Sequence, residues 1–246
     1  MAVDSIQGLD GTQSFPFHTP ASTTKAKAKP NGHPKINMTE EPKMNDTTNS
    51  VEVIGQLQNG LYLSHEKMGE KFYAGTLKVK RLSGAEDLLP VTIPGRLYEQ
   101  AQAIENGPVQ ITGQLRTYNK VVGDKGRLFV NIHAQSIEAA QESTLNEVQL
   151  TGTICKQPIY RVTPFGREIC DMMLAVNRGY GKSDYIPVIT WGGNAQRAAT
   201  LHTGDRITIS GRIQSRDYEK KLATGDSITR TAYEVSAFKL GLEGAA

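Results

Sequence analysis

A chain of 246 residues has room for two domains of about 100 residues, each able to bury a core of its own. With 38% apolar and 22% charged residues the composition is that of an ordinary globular protein, and no apolar run reaches the ~18 residues that a transmembrane helix needs. The net charge of +3 is too small to argue for a polyanionic partner by itself, but residues 1–48 and 49–142 each balance Lys/Arg against Asp/Glu, so the whole excess lies in 143–246.

Residues 1–48 are rich in Thr, Lys, Pro, Asn and Gly, with KAKAKPNGHPK at their centre and no apolar period. They read as a disordered tail whose Lys25, Lys27, Lys29 and Lys35 sit on a solvated linker. Met38 and Met44 precede the first strand and are alternative starts to Met1. The first thirty residues lack the compact apolar core of a signal peptide, so a cytoplasmic protein is expected. Cys155 and Cys170 are too few for a disulfide framework, lack metal-ligand spacing, and read as small buried hydrophobes.

From Asn49 an internal repeat runs at an offset of about 97 residues. Asn49, Val51 and Gly55 match Asn146, Val148 and Gly152; Leu77, Val79 and Arg81 match Leu174, Val176 and Arg178. Asp87, Pro90, Val91, Gly95, Ala101 and Gly107 then match Asp184, Pro187, Val188, Gly192, Ala198 and Gly204. The chain is therefore a tail (1–48) followed by two copies of one domain (49–142 and 143–246).

In the first copy the alternation of apolar and polar residues predicts strands at Val51–Leu57, Lys71–Lys80, Leu88–Ile93, Val109–Tyr118 and Arg127–Ile137, with a short helix that turns Leu97, Ala101 and Ile104 inward. The second copy repeats this with Glu147–Cys155, Arg167–Arg178, Asp184–Trp191, Arg206–Tyr218 and Ile228–Leu240, and a helix AQRAATLH capped by Asn194 and stopped at Gly204. Three strands, a short helix and two strands is the order of an OB-fold, a five-stranded Greek-key barrel, so the fold class is all-β with two such barrels in tandem.

Period 2 places Tyr185 and Trp191 on one face of the third strand of the second copy. Arg212, Arg216 and Tyr218 share a face of the fourth, opposite Ile207, Ile209 and Ile213, provided that a bulge at Gly211 does not shift the register. Tyr180 and Lys182 lie in the loop RGYGKS, where an aromatic has no core to fill. Aromatic faces for bases and cations for phosphates along one open wall are what a sequence-tolerant single-strand binder needs. Taken singly, Arg161, Arg178, Lys220 and Lys221 would be read as a solvated face; beside these aromatics they read as phosphate contacts.

NEVQLTGTI, P-x-x-R-x-T-x-x-G over Pro158–Gly166, LAVNR, DYIPVITWG, GDRITISGRIQSRDY and TAYEVSA stand in one order. This ordered set resembles the bacterial single-stranded DNA-binding protein family, strongly over Asn146–Leu240 and weakly over Asn49–Ala139. The resemblance implies base-stacking aromatics at the positions of Tyr180, Tyr185, Trp191 and Tyr218, coating of single-stranded DNA in replication, recombination or repair, and four barrels brought together, here as a homodimer. The family's acidic, hydrophobic C-terminal tip is not matched by AFKLGLEGAA, so recruitment of partners through such a tip is not expected.

Between the copies, Ser83, Leu88 and Pro94 match Tyr180, Tyr185 and Trp191, and Tyr118 is paired with Tyr218. The first copy is accordingly expected to bind weakly and serve assembly, with Lys78, Lys80, Arg81, Arg116 and Tyr118 as secondary contacts. The competing reading is a protein-interaction module on OB-folds, as in primosomal accessory proteins; RNA as ligand stays open, since stacking does not distinguish the sugars. No H-E-x-x-H, P-loop or G-x-S-x-G occurs, and His202 at a helix end reads as a surface or capping residue, so neither an enzyme nor a cofactor or metal site is expected.

Overall fold

The computed structural model describes residues 48–104, 107–122, 125–141, 144–221 and 225–242; the tail expected over 1–48 falls almost wholly outside them. The strands are β1 (Asn49–Lys67), β2 (Glu70–Lys80), β3 (Glu86–Pro94), β4 (Pro108–Val122) and β5 (Lys125–Ala139), then β6 (Asn146–Ile154), β7 (Ile159–Val162), β8 (Glu168–Arg178), β9 (Lys182–Trp191), β10 (Arg206–Lys221) and β11 (Ser227–Leu242). Helix α1 (Tyr98–Ala103) follows a 3-10 turn at Gly95–Leu97, and α2 (Gly193–Ala199) follows β9.

β1 pairs with β2, β2 with β3, β3 in parallel with β5, β5 with β4, and β4 returns to β1, which closes a five-stranded barrel. β6, β8, β9, β11 and β10 close a second in the same order, with β7 added outside β8. This is the OB-fold arrangement expected of each copy. Inward alternation builds the cores: Leu77, Leu89, Ile93, Ile111, Leu115 and Ile132 in the first barrel, Leu150, Ile154, Leu174, Ile186, Ile207 and Ile213 in the second, all fully or almost fully buried. Gly55 and Gly152 sit where the first strand bends across its neighbour. A Cβ there would stand 2.6 Å from the Lys78 carbonyl oxygen and 2.8 Å from that of Ala175, so no side chain fits.

β1 and β6 pair antiparallel about Val51↔Val148, which joins both barrels into one sheet. Around this pseudo-two-fold axis the polar contacts repeat. Asp87 of the first barrel accepts from the backbone N–H (2.6 Å) and hydroxyl (2.9 Å) of Ser215 in the second. Asp184 of the second accepts from the backbone N–H of Thr117 in the first (2.7 Å). Both carboxylates are fully buried. Burial pushes the Asp87 carboxyl up, but the Arg81 guanidinium and both Ser215 donors together outweigh it and hold it below its ordinary value.

Two local expectations are corrected. Asn194 does not cap α2: Gly192, at φ 54°, is the N-cap, and the Asn194 amide donates to the Phe238 carbonyl (2.9 Å). The helix stops at Ala199, short of His202 and Gly204. The register shift beside Gly211 lies on the partner strand, because Ser210 pairs with Lys239 and Gly211 with Ala237, leaving Phe238 as the extra residue. β10 therefore keeps its parity.

Candidate nucleic-acid interface

The outward residues of β8 to β11 form one wall of the second barrel, since directly opposed cross-strand residues share a face. Register pairs Ala175 with Tyr185, Ile169 with Trp191, Arg212 with Ser236, Gln214 with Glu234 and Arg216 with Ala232. Tyr185 (44% exposed) and Trp191 (39%) thus leave the same side as Arg212, Arg216 and Tyr218. Trp191 is fixed at one edge by its indole N–H, which donates to the Ser236 hydroxyl at 3.1 Å, and keeps part of its ring open to solvent. A ring tethered at its polar tip loses little further freedom when a base stacks on it.

Tyr180 occupies the turn between β8 and β9 at φ 63°, beside Gly181 at φ 64°, and is fully exposed. A left-handed tyrosine costs on the order of 1 kcal/mol; here the turn holds the ring away from the barrel. Lys182 is exposed at the start of β9.

The cations are more constrained than the aromatics. Arg216 lies 3.4 Å from Glu234 and 5.8 Å over the ring of Tyr218, so it braces that ring while staying about half exposed. Arg161 donates to Asp171 at 2.8 Å across β7 and β8. Arg178 stands 3.6 Å from buried Asp184, and its Nε, like that of Arg212, is buried with no hydrogen-bond partner among the described residues. The two Nε atoms are out of reach as the side chains stand, but both arginines are half-buried and keep part of their surface on the wall, where a guanidinium can meet a phosphate. Lys220 and Lys221 extend β10, but their side chains lie outside the described residues.

Two secondary candidates have structural partners instead. Arg81 chelates Asp87 (2.7 and 2.5 Å) and donates to the Ser215 carbonyl (2.9 Å). Arg116 bonds Asp184 (3.0 Å) and Gln114. Both guanidinium groups clamp the junction between the barrels. Lys78 pairs with Glu86 at 3.4 Å; Lys80 and Tyr118 are exposed. Tyr118 is also not the counterpart of Tyr218. Thr117 and Ser215 make reciprocal bonds across the axis, so Tyr118 falls opposite Arg216, and Tyr218 corresponds to Lys120.

Sequence reasoning missed Ser236, Gln214 and Glu234. Glu234 is 7% exposed and accepts from Gln214 at 3.0 Å and from Arg216. The outward parity of the fourth and fifth strands would have pointed to them, but a serine, a glutamine and a glutamate carry no stacking or phosphate chemistry by themselves. Among the described residues no cluster of His, Cys, Asp or Glu has the make-up of a metal site, and no helix is long and apolar enough to cross a membrane.

Comparison with known proteins converges on the same barrel. Residues 145–241 match the family model described as "Single-strand binding protein family". A single-stranded DNA-binding protein of Clostridium tetani is 37% identical over 101 residues, which span 38% of this chain and 70% of that one. Single-stranded DNA-binding protein A of Bacillus subtilis is 34% identical over 101 residues, 38% of this chain and 59% of that one. The crystal structure of the wild-type single-stranded DNA binding protein from Thermus aquaticus superposes with a TM-score of 0.63 at 24% identity, over 80% of this chain and 94% of that one, a likeness of fold that takes in both barrels. The chain belongs to the single-strand binding protein family.

Proposed function

We propose that this protein binds single-stranded DNA without sequence preference, stacking bases on Tyr180, Tyr185, Trp191 and Tyr218. Phosphates are met by Arg178, Lys182, Arg212 and Arg216, with Arg161 and Lys220 at the margins. One observation carries the reading: Tyr185 and Trp191, both partly exposed, share one sheet face with Arg212, Arg216 and Tyr218. Core-filling aromatics would be buried, and partly open rings interleaved with arginines on one face suit bases and phosphates in sequence. The names of the similar Clostridium and Bacillus proteins agree with this ligand. The protein works by coating rather than by chemistry, and the roles that follow are protection of single strands during replication, recombination and repair, in the cytoplasm.

In this reading residues 49–142 and 143–246 are two barrel domains of unequal duty, the second being the principal binder, and two chains associate as a homodimer to present four barrels. Titration of oligo-dT of graded length, followed by Trp191 emission at two salt concentrations, tests the proposal. Saturable quenching that weakens steeply with salt supports it. Absence of binding to any homopolymer would leave the interaction-module reading in its place, and tighter binding to oligo-rU than to oligo-dT would reassign the ligand to RNA.

A further inference from the structure

The expectation that the first barrel lost its wall rests on matching sequence positions, whereas the structure places rings at other positions of the same face. Tyr118 on β4 and Phe129 on β5 are direct register partners. Their rings stack at 5.3 Å with an interplanar angle of 8°, and the Arg127 guanidinium sits 5.1 Å from the centre of Phe129. Neither ring joins the hydrophobic core, and Tyr118 is 52% exposed. Further along the wall, Pro94 holds the position of Trp191, but its register partner is Phe72, where the second barrel has Ile169. That ring is taken up by a stack on His65, at 4.8 Å and 9°, which leaves the β4–β5 ring pair as the candidate platform.

We propose that the first barrel carries a single-strand subsite of its own, with Tyr118 and Phe129 as the stacking platform and Arg127 as the phosphate contact. One strand passes between the barrels at Tyr185, whose backbone N–H donates to the Thr117 hydroxyl at 2.8 Å, one residue before Tyr118. The Arg127 guanidinium also donates to the Thr231 carbonyl of the second barrel at 3.3 Å, which holds the two terminal hairpins together. A flat ring pair beside a cation, outside the core and adjoining a binding wall, suits bases and phosphates in sequence.

This inference rests on the function proposed above, and the test separates the two. Full-length protein, the Tyr118→Ala/Phe129→Ala double variant and a Tyr118→Phe/Phe129→Tyr variant are titrated with end-labelled oligo-dT of graded length by anisotropy, with Trp191 emission and thermal melting to confirm an intact fold. The alanine variant should bind short oligomers as the parent does, while its affinity for long ones falls by about ten-fold or more and its saturating length shortens. The aromatic-preserving variant should restore both, and Arg127→Gln, which leaves both rings in place, should weaken long-oligomer binding alone. Equal affinities and equal saturating lengths for parent and alanine variant would overturn the subsite while leaving the second barrel's function standing. A parent that binds no oligomer would sink both.

Discussion

Replacing Asp87 by alanine tests how the two barrels are held together. The carboxylate is fully buried and accepts two bonds from Arg81 and two from Ser215. Its removal strands a backbone N–H, at about 1–3 kcal/mol, and a guanidinium that is only 22% exposed. Breaking a buried ion pair from one side costs about 3–5 kcal/mol. Arg81 keeps its bond to the Ser215 carbonyl and some water, so the lower end applies, about 3 kcal/mol. With a urea m-value of ~2 kcal/mol/M, the unfolding midpoint falls by about 1.5 M. The assay is equilibrium unfolding in urea followed by Trp191 fluorescence and by far-UV circular dichroism. Because Trp191 reports from the second barrel while Asp87 belongs to the first, both probes should shift together. A Trp191 midpoint that moves by less than about 0.3 M would refute the coupling. Asp184→Ala, which strands Arg116 and the Thr117 N–H, should cost a similar amount.

Stability should fall with acid in two windows. Burial, with Arg116 next, holds His133 below its ordinary value against the opposing pull of Glu70. The unfolded chain therefore binds the extra proton first, and stability is lost as pH drops below ~6.5 until the folded imidazole also titrates. His133→Gln should flatten that window in a pH series of urea melts. Asp87, whose folded value is depressed, adds a second loss below pH ~3.8 that Asp87→Asn should remove. Cys170 is fully buried and its thiol is pushed up to about 11 by burial and by Asp171, so at pH 8 it should resist alkylation in the native protein and react once urea is added. Gly211→Ala should destabilise by about 1–3 kcal/mol, because its Cβ would lie 2.6 Å from the Ser236 carbonyl oxygen; a melting temperature unchanged within error would show that β11 can yield there.

Period-2 patterning and the internal repeat carried the barrel order, the strand centres and the inward isoleucines, because alternation is a local consequence of strand geometry. They also placed Tyr185, Trp191 and Arg212 on a common wall. Strand ends were less legible: β1 runs on to Lys67, while the second copy breaks the same path into β6 and β7. Residues beyond a barrel's rim have no core face to impose a period.

Residue type and spacing by themselves determined two all-β copies and put forward a base-stacking wall in the second. Only the tertiary structure decided the partners. Arg81 and Arg116 look like phosphate contacts in the chain and become clamps between barrels, since buried Asp87 and Asp184 must be neutralised across an axis that no local window contains. Trp191 gained its tether, and Tyr118 its neighbour Phe129, from strands 45 and 11 positions away in sequence. Such pairings are set by register, a property of two strands together that neither strand's own sequence displays.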